Sequence, residues 1–165
     1  MRIQVTADGW LYGGKRRFRC ALGRGGVRVD KREGDGATPA GLYPLRRLLY
    51  RADRLVRPHS NLPIAKIQAT DGWCDDPRDA AYNRAVSLPH AASAETMWRA
   101  DGLFDLVLLT GHNDDPVVPG GGSAIFIHVA SPDYGPTEGC VALSRPDLLA
   151  LLPHLAVGSD IQIDP

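Results

Sequence analysis

The residues of this chain best suited to chemistry lie in residues 124–145, AIFIHVASPDYGPTEGCVALSR. An apolar, strand-like run delivers His128, a short polar loop turns the chain back, and Thr137-Glu138-Gly139-Cys140 leads into a second apolar run. Two ordered segments joined by a tight return can hold an imidazole near a thiol, the minimum apparatus for a cysteine nucleophile and its base. A thiol at its ordinary pKa is mostly protonated at neutral pH, so it needs an imidazole or another electropositive neighbour. Gly139 is expected to leave room for a substrate beside the sulfur. The N–H groups around Gly139 and Cys140 are candidate donors to an oxyanion. The bland reading, a buried structural cysteine beside a satisfied histidine, is weakened by the tight return, the glycine and the two flanking strands.

Two further segments carry polar groups that could share a cleft with this pair. Residues 71–83, DGWCDDPRDAAYN, combine acidic side chains with Trp73, Cys74 and Tyr82 in a turn-rich setting. Asp75, Asp76 and Asp79 lack the regular spacing of a calcium loop, so the segment reads as a polar rim braced by Trp73 and Tyr82. Residues 111–122 form a long loop ending in three glycines and carrying His112, Asn113 and Asp114. His112 reads first as a turn residue, with a second imidazole facing the cleft as the alternative. The acidic Asp75, Asp76 and Asp114 would favour a cationic amine by charge, and Trp73 or Tyr82 would shield it from water.

The residues around Cys140 resemble the catalytic motif of the L,D-transpeptidase (YkuD-like) family. There a strand-borne His is followed by Ser/Thr-x-Gly-Cys and apolar residues, matched here by His128, Thr137, Gly139, Cys140 and Val141. A second match lies upstream, where Gly36-Ala37-Thr38-Pro39-Ala40-Gly41-Leu42-Tyr43 is similar to the family's Thr-Pro-x-Gly-x-aromatic stretch. The resemblance implies a single catalytic domain over residues 1–165: mainly β with a few short helices, as a β-sandwich or barrel. It implies that Cys140 is acylated by a peptidoglycan stem peptide, that His128 is oriented partly by backbone, and that the acceptor is the side-chain amine of diaminopimelate in another stem. It further implies susceptibility to carbapenems, no cofactor or metal, a monomer, and a place in the periplasm or cell envelope. Thr137, Glu138 and Tyr134 join the expected substrate-binding residues, with Trp73, Asp75, Asp76, Tyr82, His112 and Asn113.

The departures from the family pattern are specific. The loop from 129 to 136 has eight residues, fewer than is usual. Glu138 stands where many members have His, and Ala142 where many have an Arg that helps hold substrate. Arg145, from the following turn, is the nearest substitute. Two activities fit the same site: crosslinking by transfer to an amine, or hydrolysis as an L,D-carboxypeptidase that trims stem peptides. A noncatalytic wall-binding module has no use for His128, Gly139 and Cys140 together. Sortases place His and Cys farther apart and papain-like enzymes place the Cys first.

The rest of the sequence must position these groups. At 165 residues, with 44% hydrophobic and 23% charged content, the chain is long enough for one domain with a real core. The 19 basic and 19 acidic residues cancel, so no bulk field draws in nucleic acid or a membrane surface. No run approaches a transmembrane span, and no secretory leader is visible because Met1–Val5 enters a strand at once. A cytoplasmic location therefore stays open beside the envelope. Cys20, Cys74 and Cys140 are an odd set, in which a Cys20–Cys74 disulfide is conceivable, and no Cys-x-x-Cys or His-rich cluster points to a metal.

Strand patterns are expected at Arg2–Thr6 and at 10–12 about an Asp8-Gly9 turn. A second hairpin is expected from 18–22 and 27–29 about Gly23-Arg24-Gly25-Gly26, which lacks the Lys-Ser/Thr of a phosphate loop. Residues 31–41 read as a polar loop, solvated or facing substrate. Further strands are expected over 42–51, 62–69, 103–110 and 161–163. Ser93 is placed to cap a helix over 94–100, and Ser144 one through Leu152, with Asp147 completing a capping box and Leu148, Leu149, Leu151 and Leu152 on its buried side.

Overall fold

The computed structural model describes residues 1–165, and its outer strands follow from period-two alternation. In β1 (Arg2–Thr6), Ile3 and Val5 are fully buried while Arg2 and Gln4 face solvent. The Asp8-Gly9 turn returns the chain antiparallel as β2 (Trp10–Gly13), and β3 (Arg16–Ala21) adds to β2. Short β4 (Val27–Arg28) and β5 (Thr38–Pro39) precede the long β6 (Gly41–Tyr50) and β7 (Ile64–Lys66). A small sheet follows from β8 (Asp71–Cys74), β9 (Ala85–Ser87) and β10 (Ala94–Thr96), with β8 in the middle. The chain ends with β11 (Leu106–Thr110), β12 (Phe126–Val129), β13 (Val141–Leu143), α1 (Arg145–Leu151) and β14 (Asp160–Ile163).

The main sheet has the order β11-β12-β13-β3-β2-β1-β14-β6-β7, and β11 pairs also with β6. The pairing therefore closes on itself, giving the mainly β, barrel-like fold expected. β12 and β13 are buried at every residue, which explains apolar runs that only His128 interrupts. The main core gathers Ile3, Val5, Leu11, Leu48, Leu106, Ile127, Leu143 and, from α1, Leu148 and Leu151. Each such side chain contributes about 1.5–3 kcal/mol on burial. A second cluster, Ile67, Met97, Phe104, Val107, Ala124 and Phe126, packs beneath Cys140.

Three expectations are corrected here. Residues 94–100 are not a helix. The Ala94–Thr96 backbone pairs with Gly72–Cys74, and Ser93 accepts the Asp75 N–H through its carbonyl. Sheet pairing has overridden a cap-like sequence. Only one α-helix forms, followed by a 3-10 turn over Leu152–His154. In it Ser144 accepts the Asp147 N–H as expected, but Leu149 points outward at 38% exposure. The third correction concerns β3 and β4, which are not a hairpin. The free edge of β3 goes to β13, and β4 pairs in parallel with β5.

The glycine-rich segment explains that last change. A Cβ on Gly23 would lie 2.2 Å from the Gly36 carbonyl oxygen and 2.9 Å from the Thr38 nitrogen. Gly23 N–H donates to Thr38 Oγ1 at 2.8 Å, Gly25 N–H to the Gly36 carbonyl at 2.9 Å and Arg24 N–H to the Thr137 carbonyl at 2.8 Å. The segment is a wedge held between the two distant motifs. Gly23→Ala is therefore expected to force the backbones apart at a cost of about 1–3 kcal/mol. Thermal melting should show a midpoint lower by roughly 3–10 °C, and an unchanged midpoint would contradict the tight seam.

Candidate active site

β12 carries His128 and β13 follows Cys140, and the two strands pair in parallel with His128 opposite Ala142. Both side chains line one cavity of about 740 Å³. Thr137 locks the turn between them. Its hydroxyl donates to the Cys140 carbonyl at 2.6 Å and accepts the Gly139 N–H at 3.1 Å. Gly139 has φ +135°, and a Cβ there would meet the Ala37 carbonyl oxygen at 2.7 Å. The space at Gly139 is thus filled by the upstream motif rather than left for substrate. With the Gly139 N–H committed to Thr137, the N–H groups of Glu138 and Cys140 are the two in this turn without a protein acceptor.

His128 is 6% exposed and sits edge-on to Phe104, with ring centroids 5.2 Å apart. Its Nδ1 lies 2.8 Å from the Val129 carbonyl oxygen. A carbonyl only accepts, so Nδ1 carries the proton and Nε2 keeps its lone pair. Burial pushes the imidazole pKa down to about 4, against the pull of the Val129 carbonyl and with help from Arg99.

Cys140 opens to the cavity, yet protein atoms crowd its sulfur. Burial pushes the thiol up to about 12, the Phe126 N–H at 3.3 Å opposes that rise, and the charge of Glu95 adds to it. The thiol also has an acceptor in the Ala124 carbonyl at 3.1 Å. The resting pair is therefore neutral thiol and neutral imidazole. The electropositive environment expected from the sequence does not outweigh burial.

Thr137, Glu138 and Asp75 join Cys140 and His128 in the cavity wall. Glu138 is a rim group held by Arg24 at 2.9 Å. One Asp75 carboxylate oxygen is buried without a hydrogen-bond partner. The other expected site residues lie outside this wall. Asp76 is bound twice by the exposed Arg78, and Asp114 by Arg46. Trp73 donates to Asn83 at 2.9 Å and packs edge-on to Phe126. Tyr82 donates to Glu33 and accepts the Gly122 N–H at 3.0 Å. His112 packs edge-on to Tyr43, and Asn113 ties the Val118 and Gly122 carbonyls. Tyr134 lies under Arg19, against Ala21, Ala130 and Ala142. Ala142 is 1% exposed in that small-residue cluster and also lines the cavity, where it offers no charge to a substrate. Arg145 binds the buried Asp105, which also takes Arg54 at 2.8 Å.

Several cavity residues carry no individual sequence signal. Lys31 and Glu33 come from the polar loop over 31–41, which faces the cavity here. Glu95 and Arg99 come from the segment expected to be helical. Arg99 lies over Phe104 at 5.0 Å, is held by Asp101, and sits 3.6 Å from Glu95. All three cysteines are free. Cys74, Asp79 and His90 place their ligand atoms within 4.8 Å of one another, a spacing compatible with a shared metal ion. Its members are too far apart in sequence to be read as a motif.

The model of the L,D-transpeptidase catalytic domain (YkuD) matches residues 4–163. The chain therefore belongs to the L,D-transpeptidase catalytic-domain family, whose members act on peptidoglycan in the cell envelope. No match was found among curated proteins or among solved structures. No helix is long and apolar enough to cross a membrane.

Two outcomes follow from the neutral pair. A thiol reagent under native conditions should modify Cys140 alone, since Cys20 and Cys74 are 5% and 0% exposed. Its rate should keep rising well above the ordinary thiol pKa of about 8.5. Intact and peptide masses across pH check both points. The second outcome concerns stability. His128 titrates near 4 when folded and near 6.5 when unfolded, so between these values the unfolded chain holds the extra proton. Stability from this group is present above about pH 6.5 and is lost as pH falls towards 4, by up to about 3 kcal/mol. His128→Gln should make the fall in urea midpoint between about pH 7 and about pH 4.5 shallower than in wild type.

Proposed function

We propose that this protein is a peptidoglycan L,D-transpeptidase that joins stem peptides through an acyl-enzyme on Cys140. The observation that carries the reading is the convergence of Cys140 and His128 on one cavity, with the imidazole fixed by the Val129 carbonyl and its Nε2 free to accept a proton. Cys140 Sγ attacks the carbonyl of a donor stem peptide as His128 takes the thiol proton. The Cys140 N–H donates to the oxyanion that forms, and His128 returns the proton to the leaving amine. A thioester remains. The side-chain amine of diaminopimelate in a second stem then attacks it, forming the crosslink and releasing the thiol. Thr137 and Gly139 act by holding the turn. The protein works as a monomer in the cell envelope and needs no cofactor.

The test is incubation with defined stem peptides, with products weighed by mass spectrometry. Crosslinked dimer is expected from wild type and none from Cys140→Ala, whose melting curve should stay close to that of wild type. His128→Gln should slow acylation on the order of 10²-fold or more. Product from Cys140→Ala would overturn the mechanism. Trimmed monomer alone would make the enzyme an L,D-carboxypeptidase using the same pair.

A further inference from the structure

The cavity over Cys140 is charged in a lopsided way. Glu33, Asp75, Glu95, Asp133 and Glu138 line it against Lys31 and Arg99. These charges are not equally available. Lys31 is bound to Asp35, Glu138 to Arg24, Asp133 to Ser131, and Glu33 accepts the Tyr82 hydroxyl. Arg99 has its guanidinium on Asp101 and reaches Glu95 only at 3.6 Å. Two carboxylates remain with unspent acceptor capacity. One is Asp75, with a buried oxygen that meets no donor. The other is Glu95, for which no hydrogen bond shorter than its 3.6 Å approach to Arg99 is formed.

Glu95 stands on the small sheet beside the main one, and Asp75 directly follows its middle strand, β8. Glu95 pairs in register with Trp73, and Asp75 N–H donates to the Ser93 carbonyl at 3.1 Å. The sheet thus holds the two carboxylates on one wall, and Glu95 is near enough to the sulfur for its charge to raise the thiol. An orphaned buried carboxylate oxygen is costly unless a donor completes it. A cationic amine offers three donors and a charge, which suits two carboxylates.

We propose that Glu95 and Asp75 form the acceptor subsite, that they bind the incoming substrate as an ammonium, and that Glu95 takes a proton from it before transfer. The proposal rests on the transpeptidase reading above. An ammonium cannot attack a thioester, so one proton must first leave. Glu95 takes that proton and becomes a neutral acid. The free amine nitrogen then bonds to the thioester carbonyl carbon, His128 removes the second N–H proton, and the C–S bond breaks. The departing thiolate takes the proton from His128, and Glu95 releases its own to solvent. Atoms and charges balance without any added reactant.

The surroundings of Glu95 suit that task. Burial raises its pKa to about 7, Arg99 opposes the rise, and Asp75 and Glu33 add to it. A carboxylate titrating near neutrality is a better base than an ordinary one. Arg99 is thereby a positioning residue, held by Asp101 and set against Glu95.

The experiment forms the acyl-enzyme with a small acyl donor and follows its decay with and without a diamine acceptor. Hydrolysed and aminolysed products are weighed for wild type, Glu95→Gln, Asp75→Asn and, as a control outside the cavity, Asp76→Asn. In wild type the ratio of transfer to hydrolysis should rise with pH through about 7, following Glu95. Glu95→Gln should lower that ratio at least tenfold and remove its pH inflection. Asp75→Asn should lower the ratio through a weaker apparent affinity for the amine, leaving the inflection in place. A ratio unchanged in Glu95→Gln and Asp75→Asn overturns the acceptor assignment, as does a wild type that yields only hydrolysed product. Failure of wild type to form any acyl-enzyme overturns the transpeptidase reading itself and is seen before the amine is added.

Discussion

The structure depends on one close approach of backbone to backbone. Three segments, 23–26, 36–38 and 137–139, meet largely main chain to main chain, with the Thr38 hydroxyl and the Arg24 side chain set into the seam. Leu22 and Arg24 bond to both sides of Thr137, at 2.9 and 2.8 Å. Thr38 N–H reaches the Gly26 carbonyl at 2.9 Å, and the Ala37 carbonyl occupies the place of a Cβ on Gly139. The turn that presents Cys140 is thus fixed from behind by main chain. A rigid backbone can hold a reacting atom to a fraction of an ångström, where a flexible side chain could not.

On this seam the chemistry is set by desolvation. Burial drives the thiol up and the imidazole down, so both rest uncharged. A neutral pair avoids the cost of two ions in a low-dielectric setting. The same setting makes each carboxylate in the wall count for more. The Phe104 and Phe126 rings beneath the site exclude water there, while Arg99, Asp101 and Glu95 hold the charge at its edge.

Much of the apparent decoration of the site turns out to be bracing. Tyr82 spans from Glu33 to the Gly122 N–H, Asn83 bonds Trp73, and Asn113 gathers its own loop. Arg145 is tied to Asp105, which Arg54 also binds, linking the start of α1 to the turn before β11. These polar residues satisfy buried groups, which is the commonest use of a polar side chain inside a fold.

The sequence by itself determined what rests on local pattern. Alternation in β1, the Asp8-Gly9 turn, the Ser144 cap and the apolar runs at β12 and β13 each carry their own signal, because strand period, turn chemistry and capping act over a few residues. The spacing of His128, Thr137, Gly139 and Cys140 was legible for the same reason. Tertiary structure alone decided which strand partners β3, because the glycine wedge at Gly23 answers to Gly36 and Thr38, thirteen and fifteen residues on. It made a strand of Ala94–Thr96, whose hydrogen bonds are supplied by β8, and so turned Glu95 into the cavity. It also set the ionisation of the Cys140–His128 pair. A pKa depends on the atoms packed around a group, and for both residues those atoms come from elements that no local pattern connects.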